Sequence, residues 1–318
     1  MSDTSMRLNA GSARARWVVA LLVLAAMGLA VFGDAFVLRF AAEILLVGTA
    51  VMSLNVLVGF AGLVSLGHAA LFGAAAYAAA VAAQHGGHDL LVVIPLGMVC
   101  GMTLAAVMAL VARRSSGLFF LVLTLMVGQM TWELVFRWRA VTGGADGLRG
   151  FSGLTVLGMP ASQPLALYGL TLAVAVTAWW VLRTFVHAPI GHAIQGMRDQ
   201  PLRMRALGFH LGRLRLNTFL VTGAVAGAAG SIYPFVNQYI GPNSVHWSMS
   251  ATLVIMSVLG GIGTLAGGFV GAAVYLVAQT QLSSFTERWQ LLIGLVFVLT
   301  VIFLPRGIVP SLFWRPPS

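Results

Sequence analysis

The side chains that could do chemistry fall mainly in two places. The first is the segment Arg183 to Arg215, which sets Arg183, Arg198, Arg203, Arg205, Arg213 and Arg215 against a single acid, Asp199. Within it, Gln200-Pro201-Leu202-Arg203-Met204-Arg205-Ala206-Leu207-Gly208 has the pattern of a short helix. Proline fits the first turn, where its missing N–H costs nothing, and Gly208 can take the left-handed conformation that closes a helix. A short cationic helix between apolar blocks suits contact with a soluble protein. The second place is Leu54 to Gly73, where Asn55, Ser65 and His68 stand among Gly59, Gly62, Gly67 and Gly73. Glycine lets backbones approach or bend, and carbonyls freed by a bend must face protein or a watery cavity rather than lipid. These residues therefore read as the lining of a path or as a closely packed hairpin. For His68 the packing reading is preferred, because no second ligand lies near it in sequence. No metal site is expected.

Enzyme chemistry finds little support. The acids are Asp3, Asp34, Glu43, Asp89, Glu133, Asp146, Asp199 and Glu287, and none is expected deep within an apolar run. There is no Walker sequence, no His-Glu-x-x-His and no Gly-x-Ser-x-Gly. Ion-coupled carriers generally need ionisable groups at membrane depth, so the energy for any transport should come from elsewhere. Thr142-Gly143-Gly144-Ala145-Asp146-Gly147 has no following helix start and no lysine, which argues against a phosphate cradle. With Trp132, Glu133, Arg137, Trp138, Arg139 and Arg149 nearby, it reads as a docking surface for an extracytoplasmic protein or as a solvated turn. No cofactor is expected.

The elements that must position these residues are set by composition. The chain of 318 residues is 59% hydrophobic and 8% charged, and its net charge of +10 comes from arginine without any lysine. With a mean hydropathy of +0.94, the bilayer must be the solvent for most of it. The arginines sit at the ends of apolar runs, where membrane topology and anionic lipid explain them better than nucleic acid does. The lone Cys100 excludes an internal disulfide and reads as packing. We expect an all-α polytopic membrane protein with about ten spans at 17–33, 40–60, 62–84, 90–112, 117–136, 163–183, 216–235, 249–262, 264–283 and 289–305. The first is read as an uncleaved span rather than a signal peptide, since no clear cleavage site precedes Asp34. The pairs 40–84 and 249–283 could each be a tight hairpin or a re-entrant element.

Ten spans place the tail 1–16, the Arg113-Arg114 turn, the 183–215 loop and the tail 310–318 in the cytoplasm. Segments 137–162 and 236–248 then lie outside. Arg137, Arg139 and Arg149 oppose this orientation, but the more basic 183–215 segment outweighs them. A weak internal echo links Gly59-Phe60-Ala61-Gly62 and Gly73-Ala74-Ala75-Ala76-Tyr77 with Gly260-Gly261-Ile262-Gly263 and Gly271-Ala272-Ala273-Val274-Tyr275. Duplicated halves with broken helices would produce it, and so would close packing on small residues.

Several motifs in order carry a resemblance to a known family. They are Ser65-Leu66-Gly67-His68-Ala69, then Arg114 with Gly117-Leu118-Phe119-Phe120 and Thr124-Leu125. Thr142-Gly143-Gly144, Leu259-Gly260-Gly261-Ile262-Gly263 and Pro305-Arg306-Gly307 follow. Together they make residues 40 to 309 similar to the LivM-type permease subunit of the branched-chain amino acid class of ABC importers.

That resemblance implies the ABC importer permease fold over 17–309, in the bacterial inner membrane. It implies a second permease subunit, two ATP-binding subunits and a periplasmic binding protein as partners. It makes 183–215 the loop that seats on an ATPase, through Gly191, Ala193, Arg198, Asp199, Arg205, Ala206, Leu207 and Gly208. The translocation path or gate would draw on Asn55, Gly59, Gly62, Ser65, Gly67, His68, Gly260, Gly261 and Gly263. Binding-protein docking would draw on Arg137, Arg139, Asp146 and Arg149. His192 replaces a usual arginine, Gly196 a usual alanine, and Pro201 stands where an acid is common, so this loop has fewer carboxylates than the family pattern. The implied cargo is a branched-chain or related amino acid; urea, short amides and aromatic acids are carried by similar systems. The implied mechanism is alternating access driven by ATP hydrolysed in the partners. An ion-coupled carrier or a passive channel is the alternative from another class.

Overall fold

The computed structural model describes residues 34–113, 115, 117–161, 163–304 and 307–313. The expected span 17–33, Arg114, Pro305, Arg306 and both tails' ends lie outside the described residues. Helix α1 (Ala35–Asn55) runs on through a π-helical turn, Val56–Phe60. An extended stretch, 61–67, leads to α2 (His68–Gln84). Then come α3 (Leu90–Val111), α4 (Leu118–Arg137) and the single turn α5 (Arg139–Thr142). Helix α6 (Pro164–His187) leads to the short α7 (Pro189–Asp199) and α8 (Pro201–Ala206). The longest helix, α9 (Leu211–Asn237), precedes the pair α10 (Trp247–Gly260) and α11 (Leu265–Phe285). The series ends with α12 (Trp289–Phe303) and α13 (Ile308–Phe313).

Six of these helices, counting α1 with its π-helical turn as one, are long and apolar enough to cross a membrane; α2, α10 and α12 are apolar but shorter. Each expected span from 40–60 onward falls on one of these nine. Two boundaries differ for a physical reason. The span expected from 62 becomes helical only at His68, because Gly62 takes φ +67° and the Leu66 amide bonds the Thr124 hydroxyl at 3.3 Å instead of a helical carbonyl. Helix α1 starts at Ala35, five residues before the expected 40, so Glu43 lies about two turns inside it. The expectation that no acid lies deep within a span is corrected there for Glu43. Glu43 accepts a hydrogen bond from the Tyr233 hydroxyl at 3.3 Å.

Four two-residue strands qualify the all-α expectation. β1 (Leu148–Arg149) pairs antiparallel with β4 (Tyr239–Ile240), and β2 (Thr155–Val156) with β3 (Met159–Pro160). Both pairs lie at one end of the helices. At that end Asp89 caps α3, accepting from the Leu91 amide at 3.0 Å and from the Gly158 amide at 3.1 Å. His246 at the start of α10 packs edge-on against Trp132 near the end of α4, with centroids 5.2 Å apart. At the other end Arg215 of α9 donates to the Ser115 carbonyl at 2.7 Å, and Gly263 meets Gly59. The chain therefore alternates between an arginine-rich face, which carries Arg113, Arg183, Arg198, Arg203, Arg205, Arg213 and Arg215, and a far face.

Helix α9 lies at the centre, packed on α1, α2, α3 and α6. Its contact with α3 is made backbone to backbone. A Cβ added at Gly101 would collide with the Gly223 carbonyl, and one at Gly227 with the Gly97 carbonyl. Two glycines four apart on each helix remove the side chains that would hold the axes apart. Outward, Val92, Leu96, Val99, Val107 and Leu110 form an exposed stripe down α3, and Leu291, Leu295, Val298 and Ile302 one down α12. Large aliphatics turned outward in such stripes on apolar helices face lipid or another subunit rather than water.

Candidate functional site

The glycine-rich breaks on α1 and between α10 and α11 are far apart in sequence and meet on the arginine-rich side. Asn55, fully buried, holds them together. Its amide nitrogen donates to the Gly261 carbonyl at 3.2 Å and to the Thr264 carbonyl at 2.9 Å. Its amide oxygen accepts from the Ser257 hydroxyl at 3.0 Å and from the Gly263 amide at 3.2 Å. All four hydrogen-bonding capacities of the side chain are therefore used, three on the connection 261–264 and one on Ser257 of α10. That connection, 261–264, could not satisfy its own backbone, because Gly261 (φ +116°) and Gly263 (φ +81°) leave the helical region. Gly59 packs so closely that a Cβ there would strike the backbone of Gly263. Gly260 is pressed against the Gly267 carbonyl in the same way.

The polar loop reaches this knot directly. Arg198, near the end of α7, donates from Nη1 to the Gly59 carbonyl at the end of the π-helical turn. A π-helical turn leaves carbonyls without the usual i+4 donor, so an arginine placed there replaces a missing partner. Gly62 with φ +67° lets the chain pass the stem of Arg198, whose Cγ would lie 2.5 Å from a Cβ at that position. The Nε of Arg198 also pairs with Asp199 at 2.8 Å.

The remaining expected path residues form a second group. Ser65 is buried and accepts from the Gly67 amide at 3.3 Å. Gly67 sits against the Thr124 carbonyl of α4. His68 is buried, with Nε2 2.7 Å from the Ser53 hydroxyl. That hydroxyl also lies 2.8 Å from the Ala50 carbonyl, and when its one hydrogen goes there Nε2 of His68 is the donor of the pair. Nδ1 has no hydrogen-bond partner. Among the described residues no three His, Cys, Asp or Glu side chains converge.

Along the loop, the expected helix 200–208 is α8, with proline in its first turn and Gly208 closing it at φ +86°. Neighbouring helices take in the ends of the expected 183–215 loop: Arg183 belongs to α6, and Arg213 and Arg215 to α9. Gly191 packs on the Val186 carbonyl and Ala193 is buried, which fixes α7 against α6. Gly196, unusual for the family pattern, has a function in packing: a Cβ there would lie 2.8 Å from the Met204 sulfur of α8. Asp199, Arg205, Ala206, Leu207 and Gly208 are all exposed, and Leu202 and Leu207 are 77% and 65% exposed. Two leucines held out on a cationic turn are costly to leave in water.

On the far face Arg137 pairs with Glu133, and Arg149 lies over the Tyr239 ring at 4.6 Å. Arg139 and Asp146 are exposed beside them. Thr142 accounts for the turn they share, donating to the Val135 carbonyl at 2.5 Å and lying 2.8 Å from that of Trp138. Sequence reasoning missed Ser257 and Thr264, which complete the Asn55 knot, and Gly307, which packs on Gly261. The only signal for Ser257 and Thr264 is proximity to the glycine motif 260–263, and for Gly307 its place in the motif Pro305-Arg306-Gly307. Nothing local links Ser257 and Thr264 to Asn55, some 200 residues earlier.

Comparison with known proteins agrees with this architecture. The family model for the branched-chain amino acid transport system permease component matches residues 36–301. The high-affinity branched-chain amino acid transport system permease protein LivM of Salmonella typhimurium is 24% identical over 282 residues. That match covers 81% of this chain and 66% of the relative. The LivM protein of Escherichia coli K12 aligns with the same identity and coverage. The LivH permease protein of Salmonella typhimurium is 27% identical over 143 residues, 43% of this chain and 45% of the relative. No solved structure matches. The matched family region runs from the start of α1 into α12 and takes in both glycine breaks and the arginine loop, so this chain belongs to the branched-chain amino acid transport permease family.

Proposed function

We propose that this chain is the membrane subunit of an ATP-driven importer for branched-chain or related hydrophobic amino acids. In this reading the arginine-rich face is cytoplasmic and α8 seats on an ATP-hydrolysing subunit, with Leu202 and Leu207 entering an apolar socket. A second permease subunit lies alongside, and a periplasmic binding protein docks on the far face near Arg137, Arg139, Asp146 and Arg149. The observation that carries the reading is Arg198. It belongs to the same projection as the exposed leucines, and its guanidinium bonds the carbonyl of Gly59, inside the junction of the two broken helices. A push on α7 and α8 would therefore be delivered to the Asn55 knot.

With the knot closed, Asn55, Gly59, Gly261 and Gly263 seal the arginine-rich end of the helices. Nucleotide-driven movement of the projection would part them and open a route between the two permeases. The names of the relatives supply the cargo class, and the binding protein would set its finer selectivity. Co-purification of the chain with its candidate ATPase subunits tests the reading. Leu207→Asp should sharply reduce the ATPase recovered while leaving the amount of membrane-inserted chain unchanged. Equal recovery would remove α8 as the contact. Amino-acid uptake that persists without any ATPase would overturn the importer assignment.

A further inference from the structure

A cavity of about 630 Å³ opens on the arginine-rich face between the end of α3 and the start of α9. Arg113, Arg205, Arg213 and Arg215 line it, with Leu110 and Phe209 at its apolar side. No acid balances this charge: among the described residues the ion pairs are Arg137 with Glu133 and Arg198 with Asp199. Arg215 spends one nitrogen on the carbonyls of Arg113 and Ser115, and its buried Nε has no partner. The cavity also receives the start of the 27-residue α9, whose cap residue His210 provides no side-chain hydrogen bond to the first amides. The Arg213 amide bonds the His210 carbonyl at 3.0 Å, which leaves the first two amides of α9 beside the guanidinium groups, a combination that selects a phosphate-like anion.

The surface above the cavity identifies what carries that anion. The aliphatic stripe of α3 continues through Val107, Leu110 and Val111, which are 47%, 57% and 50% exposed, straight to the rim. A soluble anion would leave this stripe unused, and an acidic protein segment would leave it without lipid or partner. A phospholipid satisfies both parts, with its chains along α3 and its phosphate among the arginines. We propose that this cavity is a binding site for the headgroup of an anionic phospholipid. The site lies to one side of the exposed tip of α8 and shares only Arg205 with it. It does not depend on what powers the transporter.

Native mass spectrometry of the full-length chain in detergent tests this with phosphatidylglycerol, phosphatidylcholine of the same chains, and inorganic phosphate. One retained phosphatidylglycerol with at least about tenfold preference over phosphatidylcholine is expected, undisturbed by millimolar phosphate. Arg113→Gln with Arg213→Gln should abolish the preference. Arg39→Gln with Arg288→Gln, an equal loss of charge on the far face, should preserve it. Arg215 is left intact in this test because it also holds the 113–115 turn. Equal retention of both lipids would overturn the proposal. So would displacement by phosphate, which would make the site one for a free anion, or equal loss in the control pair, which would make the attraction nonspecific. Retained lipid that is lost on binding an ATPase subunit would assign the cavity to that protein instead.

Discussion

Asn55 shows how much one side chain can hold. It replaces backbone partners that 261–264 loses at its two positive-φ glycines, and no smaller side chain supplies both two N–H donors and a separate acceptor oxygen there. Asn55→Ala leaves the Gly263 amide and the Ser257 hydroxyl without their acceptor in a buried place, which costs about 2–3 kcal/mol. Equilibrium unfolding of the purified chain should show that loss, and an unchanged unfolding midpoint would mean that the knot is open in the membrane.

Asp89 makes a pH-dependent contribution. Hydrogen bonds from the Leu91 and Gly158 amides hold its carboxyl below the usual carboxylate range. A depressed folded-state pKa means that the stabilisation is complete above the unfolded value and is lost as pH falls through the folded one. The difference in thermal stability between wild type and Asp89→Asn should therefore shrink as pH is lowered from 7 to 3. A difference that stays constant would remove the carboxylate from the β2–β3 anchor.

Between elements, the decisive contact is that of α3 with α9. Their glycines bring the backbones together, so a single methyl group matters. Gly227→Ala should cost about 1–3 kcal/mol, because the helices must move apart to admit it. Gly169 on α6 offers a matched control, since nothing lies within 4 Å of a Cβ placed there. Gly169→Ala should be neutral or stabilising by about 0.5–1 kcal/mol, as expected for alanine over glycine in a helix. Comparable losses from both variants would refute the close approach. The same logic explains Gly196, which departs from the family pattern yet lets α7 and α8 fold back on each other over Met204.

For the whole molecule, the alternation of helices yields two faces that differ in charge and in kind. One carries the arginine projection, and the other carries small strands that tie 148–149 to 239–240. If the arginine face is cytoplasmic, a cysteine placed at Leu202 should resist a membrane-impermeant thiol reagent in intact cells, whereas one at Gly150 should react. Cys100→Ser would remove background labelling in both. The reverse pattern would place α8 outside, where no nucleotide-driven partner could reach it, and the proposed mechanism would fail with it.

Membrane residence, the apolar helices beyond residue 40 and the short helix closed by Gly208 could all be read from the chain alone. Each rests on local physics: an apolar run long enough for the bilayer, a charge imbalance at its ends, a proline and a glycine at the limits of a turn. Glu43 lies deeper than its place near the start of the expected span 40–60 implied, because an apolar run does not mark where a helix begins. The glycine motifs 59–62 and 260–263 could be recognised as breaks, but not as breaks that touch. That required the tertiary structure, since a hydrogen bond between Asn55 and Ser257 leaves no periodic trace in either segment. The reach of Arg198 to Gly59, and the cavity that gathers arginines from the turn after α3, from α8 and from α9, were likewise settled only when packing brought distant backbones together.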